Sequence, residues 1–309
     1  MRIAFMKALT RLVKKDKRVM LLTGDLGFSV FEDFARQFPK QYLNCGLAEQ
    51  NMVGMAAGLA LSGKKVFAYS IVPFATMRPF EQVRDDVCLH NLDVKIVGVG
   101  GGYSYSQLGA THHSIEDIAI MKVLPNMKVL VPADPIETEL AVKAMARDRG
   151  PAYLRLGKSK EENLHRRTFP FAIGRSNVLR KGSSVTVIGC GPILKNVLRA
   201  AEILARKNIF CKVISMPTVK PLDERVVMSA TKTGLVITVE EHSVIGGLGD
   251  SVASVLAQAA LPKKCRLKKI GVEDRFMKIV GDQEYLRSQN GLSPEQIARS
   301  ITSLIKKRS

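Results

Sequence analysis

One acidic side chain stands in a segment that is almost uniformly small or apolar. Residues 46–60 read GLAEQNMVGMAAGLA, which predicts a helix over Glu49–Leu61 with most of its surface buried. Glu49 occupies the first turn of this helix, where a carboxylate interacts favourably with the helix dipole. A partly buried acid in the same place can instead hold the ring nitrogen of a bound ligand. The residue pattern alone leaves both interpretations open.

Two adjacent histidines belong to a polar loop that follows a predicted strand. His112 and His113 lie in residues 108–116, LGATHHSIE, downstream of the apolar run 94–99. Ligands of open parallel sheets bind where the carboxyl ends of the strands meet. An isolated histidine is usually structural or on the surface, but one in a polar loop after a parallel strand lies at the edge where ligands bind. His112 is therefore a candidate functional residue.

Several familiar motifs are incomplete. Residues 58–64 (GLALSGK) have the spacing of a phosphate-binding P-loop, but Lys65 replaces Ser or Thr and the segment ends a predicted helix. The glycines at 98–102 and 189–191 follow strands without completing GxGxxG. The five cysteines are scattered, with no CxxC pair. They predict reduced thiols of a cytoplasmic protein, and no metal ligands are expected on this chain.

Composition favours a globular protein of 309 residues, with 46% hydrophobic and 24% charged residues. No apolar run of 18 residues predicts a membrane span, and the N-terminal residues do not resemble a signal peptide. The net charge is +19, of which residues 159–309 carry +13. A nucleic-acid partner is not expected, because Trp is absent and aromatics make up only 6% of the chain. The charge is then that of a basic solvated surface, or it serves an acidic partner or phosphorylated substrates.

Strand-like and helical segments alternate along the chain, which predicts an α/β fold with parallel sheets covered by helices on both faces. The predicted strands are Val19–Gly24, Lys65–Ile71, Val94–Val99, Met127–Val131, Ala152–Leu156, Ser184–Ile188, Cys211–Met216, Leu235–Glu240 and Arg266–Val272. The predicted helices are Glu49–Leu61, Phe80–His90, Ile115–Val123, Pro135–Ala146, Ile193–Arg206, Glu224–Thr231, Asp250–Ala259 and Pro294–Ile305. Ser114 should begin one helix in a capping box, and Asp134 should cap another.

The polar segment 159–167 interrupts this alternation, so we expect two doubly wound domains. Their predicted bounds are residues 1–160 and 181–309, joined by a linker over 161–180.

The segment around Glu49 resembles the pyrimidine-binding domain of thiamin-diphosphate enzymes, specifically the C-terminal half of transketolases. The resemblance continues through VIGCG (187–191), VISMP (213–217) and EEHSVIGGLG (240–249), which resemble the family's C-terminal domain. It implies a transferase that moves a two-carbon ketol unit from a ketose phosphate to an aldose phosphate. The second domain then supports a dimer and takes no part in the chemistry.

The resemblance assigns cofactor-binding roles to four residues. Glu49 matches the glutamate that hydrogen-bonds the aminopyrimidine ring of thiamin diphosphate and so promotes loss of the thiazolium C2 proton. Asp25 matches an aspartate beside the cofactor. Phe74 and Phe80 match the aromatic wall of the pyrimidine pocket. From the residue pattern alone, Asp25 is equally a turn residue and the two phenylalanines are equally core residues.

Substrate contacts are implied at four positions. His112 matches a histidine that contacts the donor's hydroxyls and is also a candidate catalytic residue. Arg2, Ser29 and Lys158 match the family's phosphate site, where Lys158 replaces the usual arginine. Lysine keeps the charge but loses the bidentate fork of arginine. Arg155, at the end of the adjacent predicted strand Ala152–Leu156, is a candidate to compensate.

Two departures put the ordinary pentose-phosphate substrates in doubt. The run Gly100–Gly102 stands where transketolases carry a second histidine near the thiazolium. Leu108 replaces an aspartate that reads a donor hydroxyl, and a leucine cannot accept a hydrogen bond.

The family's GDG-x-N motif, which holds the metal and the diphosphate, is absent from the 309 residues. The resemblance therefore implies one subunit of a split transketolase, within a cytoplasmic α2β2 heterotetramer of carbohydrate metabolism. Its partner would carry the GDG-x-N motif and bind Mg²⁺ or Ca²⁺. Two alternatives remain at this point: the β subunit of a 2-oxo-acid dehydrogenase's decarboxylating component, and a non-enzymatic scaffold or nucleic-acid-binding protein.

Overall fold

A computed structural model describes residues 1–27, 30–158, 161–260 and 265–306. Its strands are β1 Val19–Thr23, β2 Tyr42–Asn44, β3 Lys65–Ile71, β4 Val94–Val99, β5 Lys128–Leu130, β6 Ala152–Leu156, β7 Asn177–Arg180, β8 Val185–Gly189, β9 Cys211–Ser215, β10 Thr218–Lys220, β11 Leu235–Ser243 and β12 Arg266–Val272.

The helices precede, separate and follow these strands and cover both faces of the sheets. They are α1 Arg2–Lys15, α2 Glu32–Gln37, α3 Glu49–Leu61, α4 Val72–Thr76, α5 Phe80–Gln82, α6 Asp117–Val123, α7 Pro135–Arg147, α8 Leu194–Ala205, α9 Glu224–Ala230, α10 Leu248–Gln258, α11 Gln283–Gln289 and α12 Pro294–Lys306. A π-helical segment, Val83–Leu89, continues α5. No helix in the described ranges is long and apolar enough to cross a membrane.

The first sheet positions the candidate site. Seven strands of the described residues form it in the order β10-β5-β6-β4-β3-β1-β2, and all are parallel except β10. Its central strands are buried along nearly their whole length, as apolar parallel strands between two helical layers must be. The carboxyl ends of β1, β3, β4 and β6 therefore meet at one edge, from which the loops carrying the predicted site residues emerge.

The second sheet has the order β12-β11-β8-β9-β7, with β7 antiparallel to its neighbour β9. Helix α8 packs on α12, and their apolar faces cover this sheet with a separate core cluster. The α/β prediction of two mostly parallel sheets with helices on both faces is confirmed.

Strand β10 joins the two halves of the molecule, and local patterning does not predict it. Thr218 and Lys220 pair antiparallel with Leu130 and Val129 of β5, so a strand from the second half extends the first sheet. The Lys220 Nζ donates hydrogen bonds to the carbonyls of Lys122 and Leu124 beside it. A strand of three residues is too short to show the apolar pattern by which strands are recognised in a sequence.

The two predicted caps have different outcomes. Asp134 caps α7 as predicted, because its side chain accepts a hydrogen bond from the Glu137 N–H at 2.7 Å. The capping box at Ser114 is wrong. Helix α6 begins at Asp117, and the Ser114 backbone instead exchanges hydrogen bonds with Gly102, which holds the loop closed beneath the site.

Candidate active site

Glu49 begins α3 with its side chain completely buried at the edge of the first sheet. Ser70, near the end of β3, donates a hydrogen bond to Glu49 Oε1 at 2.8 Å. Arg78 Nη1 lies 2.5 Å from Glu49 Oε2, although 43% of the Arg78 side chain is exposed. The carboxylate is thus held between a buried hydroxyl and a cation that reaches it from solvent.

Gly24, directly after β1, leaves a small space over this carboxylate. A Cβ at residue 24 would lie 3.1 Å from Glu49 Oε1 and 3.3 Å from the Ser70 hydroxyl. A side chain there would crowd Oε1, so glycine relieves the close packing over this carboxylate. Because the Glu49 side chain is 0% exposed, a ligand nitrogen can reach the carboxylate only where the partly exposed Arg78 moves aside.

The Arg78 guanidinium connects Glu49 to a pair of rings. It lies 4.3 Å from the centroid of the Phe74 ring, which is within cation–π range. The His112 ring meets Phe74 edge-on, with centroids 5.2 Å apart and an interplanar angle of 76°. The Thr111 hydroxyl lies 3.0 Å from His112 Nδ1. His112 Nε2 carries no hydrogen bond within the described part of the chain.

Beyond His112 the same edge becomes cationic. The Tyr105 ring lies 6.3 Å from the His112 ring, and Lys158 Nζ is 4.6 Å above the Tyr105 centroid. Arg2 Nε donates a hydrogen bond to the Lys158 carbonyl at 2.6 Å. Arg2 and Lys158 line a cleft of about 840 Å³.

These contacts form one continuous line of side chains, which we call the site row: Glu49, Arg78, Phe74, His112, Tyr105, Lys158 and Arg2. It has a buried acid at one end and two cations beside a cleft at the other. The sequence separations are large, yet the loops converge because parallel strands end at the same edge. Such a row can hold an elongated ligand with a basic ring at one end and an anionic group at the other.

Comparison with known proteins identifies what this architecture belongs to. Residues 1–162 match the family described as "Transketolase, pyrimidine binding domain", and residues 174–297 match "Transketolase, C-terminal domain". The chain belongs to the transketolase family.

Relatives of similar length share most of this transketolase-family chain. It is 39% identical over 99% of its length to a "Putative transketolase C-terminal section" of Methanocaldococcus jannaschii, covering 96% of that protein. It is 37% identical over 98% of its length to a subunit of an apulose-4-phosphate transketolase of Phocaeicola vulgatus, covering 97% of that protein. These relatives favour the transketolase assignment over a 2-oxo-acid dehydrogenase subunit.

A solved structure agrees in fold and extent. The chain superposes on "Split gene transketolase, inactive beta4 tetramer" with a TM-score of 0.90 and 38% identity, covering 99% of this chain and 98% of that one. It spans 46% of a transketolase chain from Campylobacter jejuni at a TM-score of 0.83 and 20% identity, which is a likeness of fold.

Two predicted site residues of this transketolase-family chain lie outside the site row, and one cannot be placed. Asp25 has a left-handed φ of 52°, and it is exposed and exchanges hydrogen bonds with the Asn44 side chain. Phe80 is half-buried and packs against the core cluster under α3. Ser29 lies outside the described residues.

Arg155 does not compensate for the lysine at position 158, so that expectation is wrong. Its side chain is 4% exposed, and its guanidinium donates to Asp117 Oδ2 at 2.7 Å and to the carbonyls of Ser114 and Glu241. The side chain turns inward from β6 to join the two sheets, away from the cleft. Arg155 belongs to the buried strand β6, whereas Lys158 follows the end of that strand, so the two side chains need not face the same way.

Sequence reasoning missed three residues of the site: Ser70, Arg78 and Tyr105. Ser70, near the end of β3, and Arg78, just after α4, flank the predicted aromatic Phe74, and their polar character in an otherwise apolar stretch was the available signal. Tyr105 lies in the loop between the glycine run and His112. Within the described ranges, no group of three or more His, Cys, Asp or Glu residues is placed to hold a metal ion.

Proposed function

We propose that this chain is the C-terminal subunit of a split transketolase, which transfers a two-carbon ketol unit from a ketose phosphate to an aldose phosphate. The observation that supports this most is the site row, because it links a buried glutamate at a helix start to paired cations beside a cleft. The corresponding division is a pyrimidine-binding domain over 1–160, a linker over 161–180 and a C-terminal domain over 181–309.

The residues around Glu49 fit the aminopyrimidine end of thiamin diphosphate. The cradle left by Gly24, the buried carboxylate and the Phe74 ring give a planar heterocycle an acid for its ring nitrogen and an apolar wall. When bound, the cofactor supplies the nucleophilic carbon for C–C bond cleavage and formation. Glu49 holds the proton at the pyrimidine nitrogen, and Ser70 orients its carboxylate. Arg78 must yield Glu49 Oε2 or share it. In this proposal Asp25 and Phe80, which lie outside the site row, also belong to the cofactor-binding region around the aminopyrimidine ring.

The remaining site residues serve the sugar phosphate. His112 contacts a hydroxyl near the reacting carbon, and its accessible Nε2 can exchange a proton there. Arg2 and Lys158 bind the phosphate, with Ser29 as a further donor. Charge-assisted hydrogen bonds of this kind are about twice as strong as neutral ones, so this end discriminates phosphorylated from unphosphorylated sugars.

A partner subunit completes the site. It carries the GDG-x-N motif and binds the diphosphate through Mg²⁺ or Ca²⁺, in an α2β2 heterotetramer that works in cytoplasmic carbohydrate metabolism. Support comes from relatives described as single subunits of transketolases, one named for apulose 4-phosphate and one for 6-deoxy-6-sulfo-D-fructose. Phosphate and sulfonate are both anionic end groups, which the Arg2–Lys158 cleft suits.

The test is reconstitution. We expect the purified chain alone to bind thiamin diphosphate weakly in calorimetry and to show no turnover, because only the pyrimidine end can be held. Addition of an N-terminal transketolase subunit should restore tight binding and ketol transfer. The substrate panel should include phosphorylated ketoses, apulose 4-phosphate and 6-deoxy-6-sulfofructose.

Two results would contradict this proposal. Micromolar cofactor binding or turnover by the chain alone would remove the need for a split enzyme. Decarboxylation of a 2-oxo acid with transfer to a lipoyl domain, and no ketol transfer, would favour the dehydrogenase alternative.

A further inference from the structure

Tyr105 occupies the centre of the cationic end of the site row. Its ring lies between His112 at 6.3 Å and Lys158 Nζ at 4.6 Å, both measured to the ring centroid. The residue is half-buried and packs partly against the core cluster under α1. One edge of the ring is therefore fixed while the rest faces the site.

The fixed edge fills the space beside Gly100. A Cβ at residue 100 would collide with Cδ2 and Cε2 of Tyr105, and the residue has a left-handed φ of 90° that favours glycine. The Tyr105 ring thus takes the volume into which a side chain at position 100 would project. The glycine and the tyrosine are two parts of one arrangement, in which the end of β4 lacks a side chain and the following loop supplies one.

The Tyr105 hydroxyl is available to a ligand. It makes no hydrogen bond to any residue in the described ranges. Burial raises the pKa of this phenol, and the nearby Arg2 charge lowers it. A guanidinium lies beside it, because Arg2 Nε donates a hydrogen bond to the Lys158 carbonyl. The Tyr105 hydroxyl, which no described residue engages, is therefore close to two cations.

Lys158 supplies charge and three rotatable N–H donors to a phosphate, but it lacks the fixed bidentate geometry of arginine. An ammonium is a point charge on a flexible stem, whereas a phosphate is best held by several directed donors. Arg155 cannot help, because its guanidinium is committed to Asp117 and to two backbone carbonyls. Tyr105 lies directly under Lys158 and has an O–H to donate.

We propose that Tyr105 is the specificity-determining residue of an anion subsite, where its hydroxyl donates a hydrogen bond to the phosphate held by Arg2 and Lys158. Its ring also positions the Lys158 ammonium by stacking beneath it. That the phosphate belongs to a sugar rests on the proposed function. The recognition of phosphate by Tyr105, Arg2 and Lys158 does not rest on the proposed function.

The decisive variant is Tyr105→Phe, which keeps the ring, its packing on Gly100 and its contact with Lys158 but removes the donor. In the reconstituted complex, we expect KM for phosphorylated ketoses to rise about tenfold, since a hydrogen bond to a charged group is lost. KM for unphosphorylated analogues, kcat and exchange of the thiazolium C2 proton should stay unchanged. Tyr103→Phe is the matched control, because Tyr103 is in the same loop but packs on His113 away from the cations.

A second measurement uses the full chain alone and inorganic phosphate. Phosphate should raise the melting temperature of the wild type and of Tyr103→Phe more than that of Tyr105→Phe. In a double-mutant cycle, Tyr105→Phe and Lys158→Ala should be non-additive, because both remove contacts to one anion.

The outcomes separate this proposal from the proposed function. The role of Tyr105 would be overturned if wild type and Tyr105→Phe had the same ratio of KM for phosphorylated ketoses to KM for unphosphorylated analogues. Equal stabilisation of both proteins by phosphate would overturn it as well. Either result would leave transketolase activity intact. A reconstituted complex that transfers no ketol unit would overturn the proposed function. Phosphate stabilisation that depends on the Tyr105 hydroxyl would still establish the subsite.

Discussion

Two regions of this molecule contain the same chemical groups but differ in what surrounds them. The site row places an acid, an arginine, a histidine and two further cations at an open sheet edge. The second region, which we call the intersheet network, consists of Asp117 and Arg155 from the first sheet's side with Glu241 and Arg287 from the second. Both regions contain carboxylate–guanidinium pairs, so residue type alone does not distinguish them.

The arginines show the difference. Arg155 and Arg287 are 4% exposed, and their partners Asp117 and Glu241 are 0% and 3% exposed. Arg287 also pairs with Glu284, whose side chain is 56% exposed, so the contrast is sharpest for the Arg155–Asp117 pair. Glu241 also accepts hydrogen bonds from the Tyr103 N–H and the Gln283 amide. In the site row, Glu49 is equally buried, but Arg78 is 43% exposed and can leave it without losing its own hydration.

This contrast indicates how function is separated from architecture in the chain. A buried charge whose partners are all buried is costly to disturb and holds elements together. A buried charge whose partner reaches it from solvent can exchange that partner for a ligand. Substitutions in the two regions should therefore have effects of different kind and size.

Replacement of Glu49 by Gln in the reconstituted complex should lower turnover by about 10²–10⁴-fold, because an amide cannot hold the pyrimidine's proton. The defect should be present in the exchange of the thiazolium C2 proton before any sugar binds, measured by quenched-flow NMR. Glu81→Gln, an exposed acid in the first turn of α5, is the control and should exchange normally. Wild-type exchange in Glu49→Gln would leave Glu49 a helix-dipole residue, worth about 0.3–1 kcal/mol of stability.

Replacement of Arg155 by Met should lower the free energy of unfolding by about 3–5 kcal/mol, because Asp117 is left buried without its cation. Denaturant titration measures this loss, and substrate specificity of the folded fraction should be unchanged. The surface pair of Arg11 with Glu139 gives the matched control, where Arg11→Met should cost about 0–1 kcal/mol. A small effect at Arg155 together with altered KM for phosphorylated substrates would place Arg155 in the site after all.

Replacement of Lys158 by Ala should raise KM for phosphorylated ketoses about 10- to 100-fold, and Arg2→Ala should act in the same direction. Unphosphorylated analogues should be affected much less, since only the charged contact is lost. Lys143→Ala is the control, because Lys143 lines the same cleft outside the site row. Equal changes for both substrate types would show that neither Lys158 nor Arg2 reads phosphate.

Stability should fall as pH rises from about 4.5 to 7, because of acids buried between the sheets. Burial raises the pKa of Glu137 to about 7, against the lowering effect of the neighbouring His165. The folded state therefore binds more protons than the unfolded state in this range, and each such group lowers the free energy of unfolding by up to about 1.4 kcal/mol per pH unit.

Glu137→Gln should make this decline less steep, and Glu139→Gln, on the same helix but partly exposed, should leave it unchanged. Chemical unfolding at a series of pH values provides the test. An identical slope for wild type and Glu137→Gln would mean that the buried carboxyl does not titrate with folding.

The smallest change is expected at Leu108, which is 53% exposed beside the loop of His112. Leu108→Asp should alter the free energy of unfolding by less than about 0.5 kcal/mol, as surface substitutions do. It should nevertheless shift the ratio of kcat/KM values among ketose phosphates that differ in one hydroxyl, because an acceptor is restored. An unchanged ratio across the panel would exclude residue 108 from hydroxyl recognition.

The apolar pattern of the sequence by itself determined most of the fold of this protein. Strand and helix periods along residues 19–156 and 184–305 predicted the two parallel sheets, because apolar runs of that spacing can be buried only between helical layers. The segment beginning at Glu49 and the loop of His112 were recognisable because each places polar residues in an otherwise apolar pattern. Both lie at the sheet edge where the carboxyl ends of parallel strands meet.

The packing of distant elements set which groups meet there. Arg78 reaches Glu49 from 29 residues away, Tyr105 fills the space beside Gly100, and β10 adds to a sheet made by the other half of the chain. Arg155, which sequence reasoning placed near the phosphate, turns inward to Asp117. Periodicity reports which face of an element is buried. The partner of a polar side chain depends instead on how separate elements pack, and that is set by contacts distant in sequence.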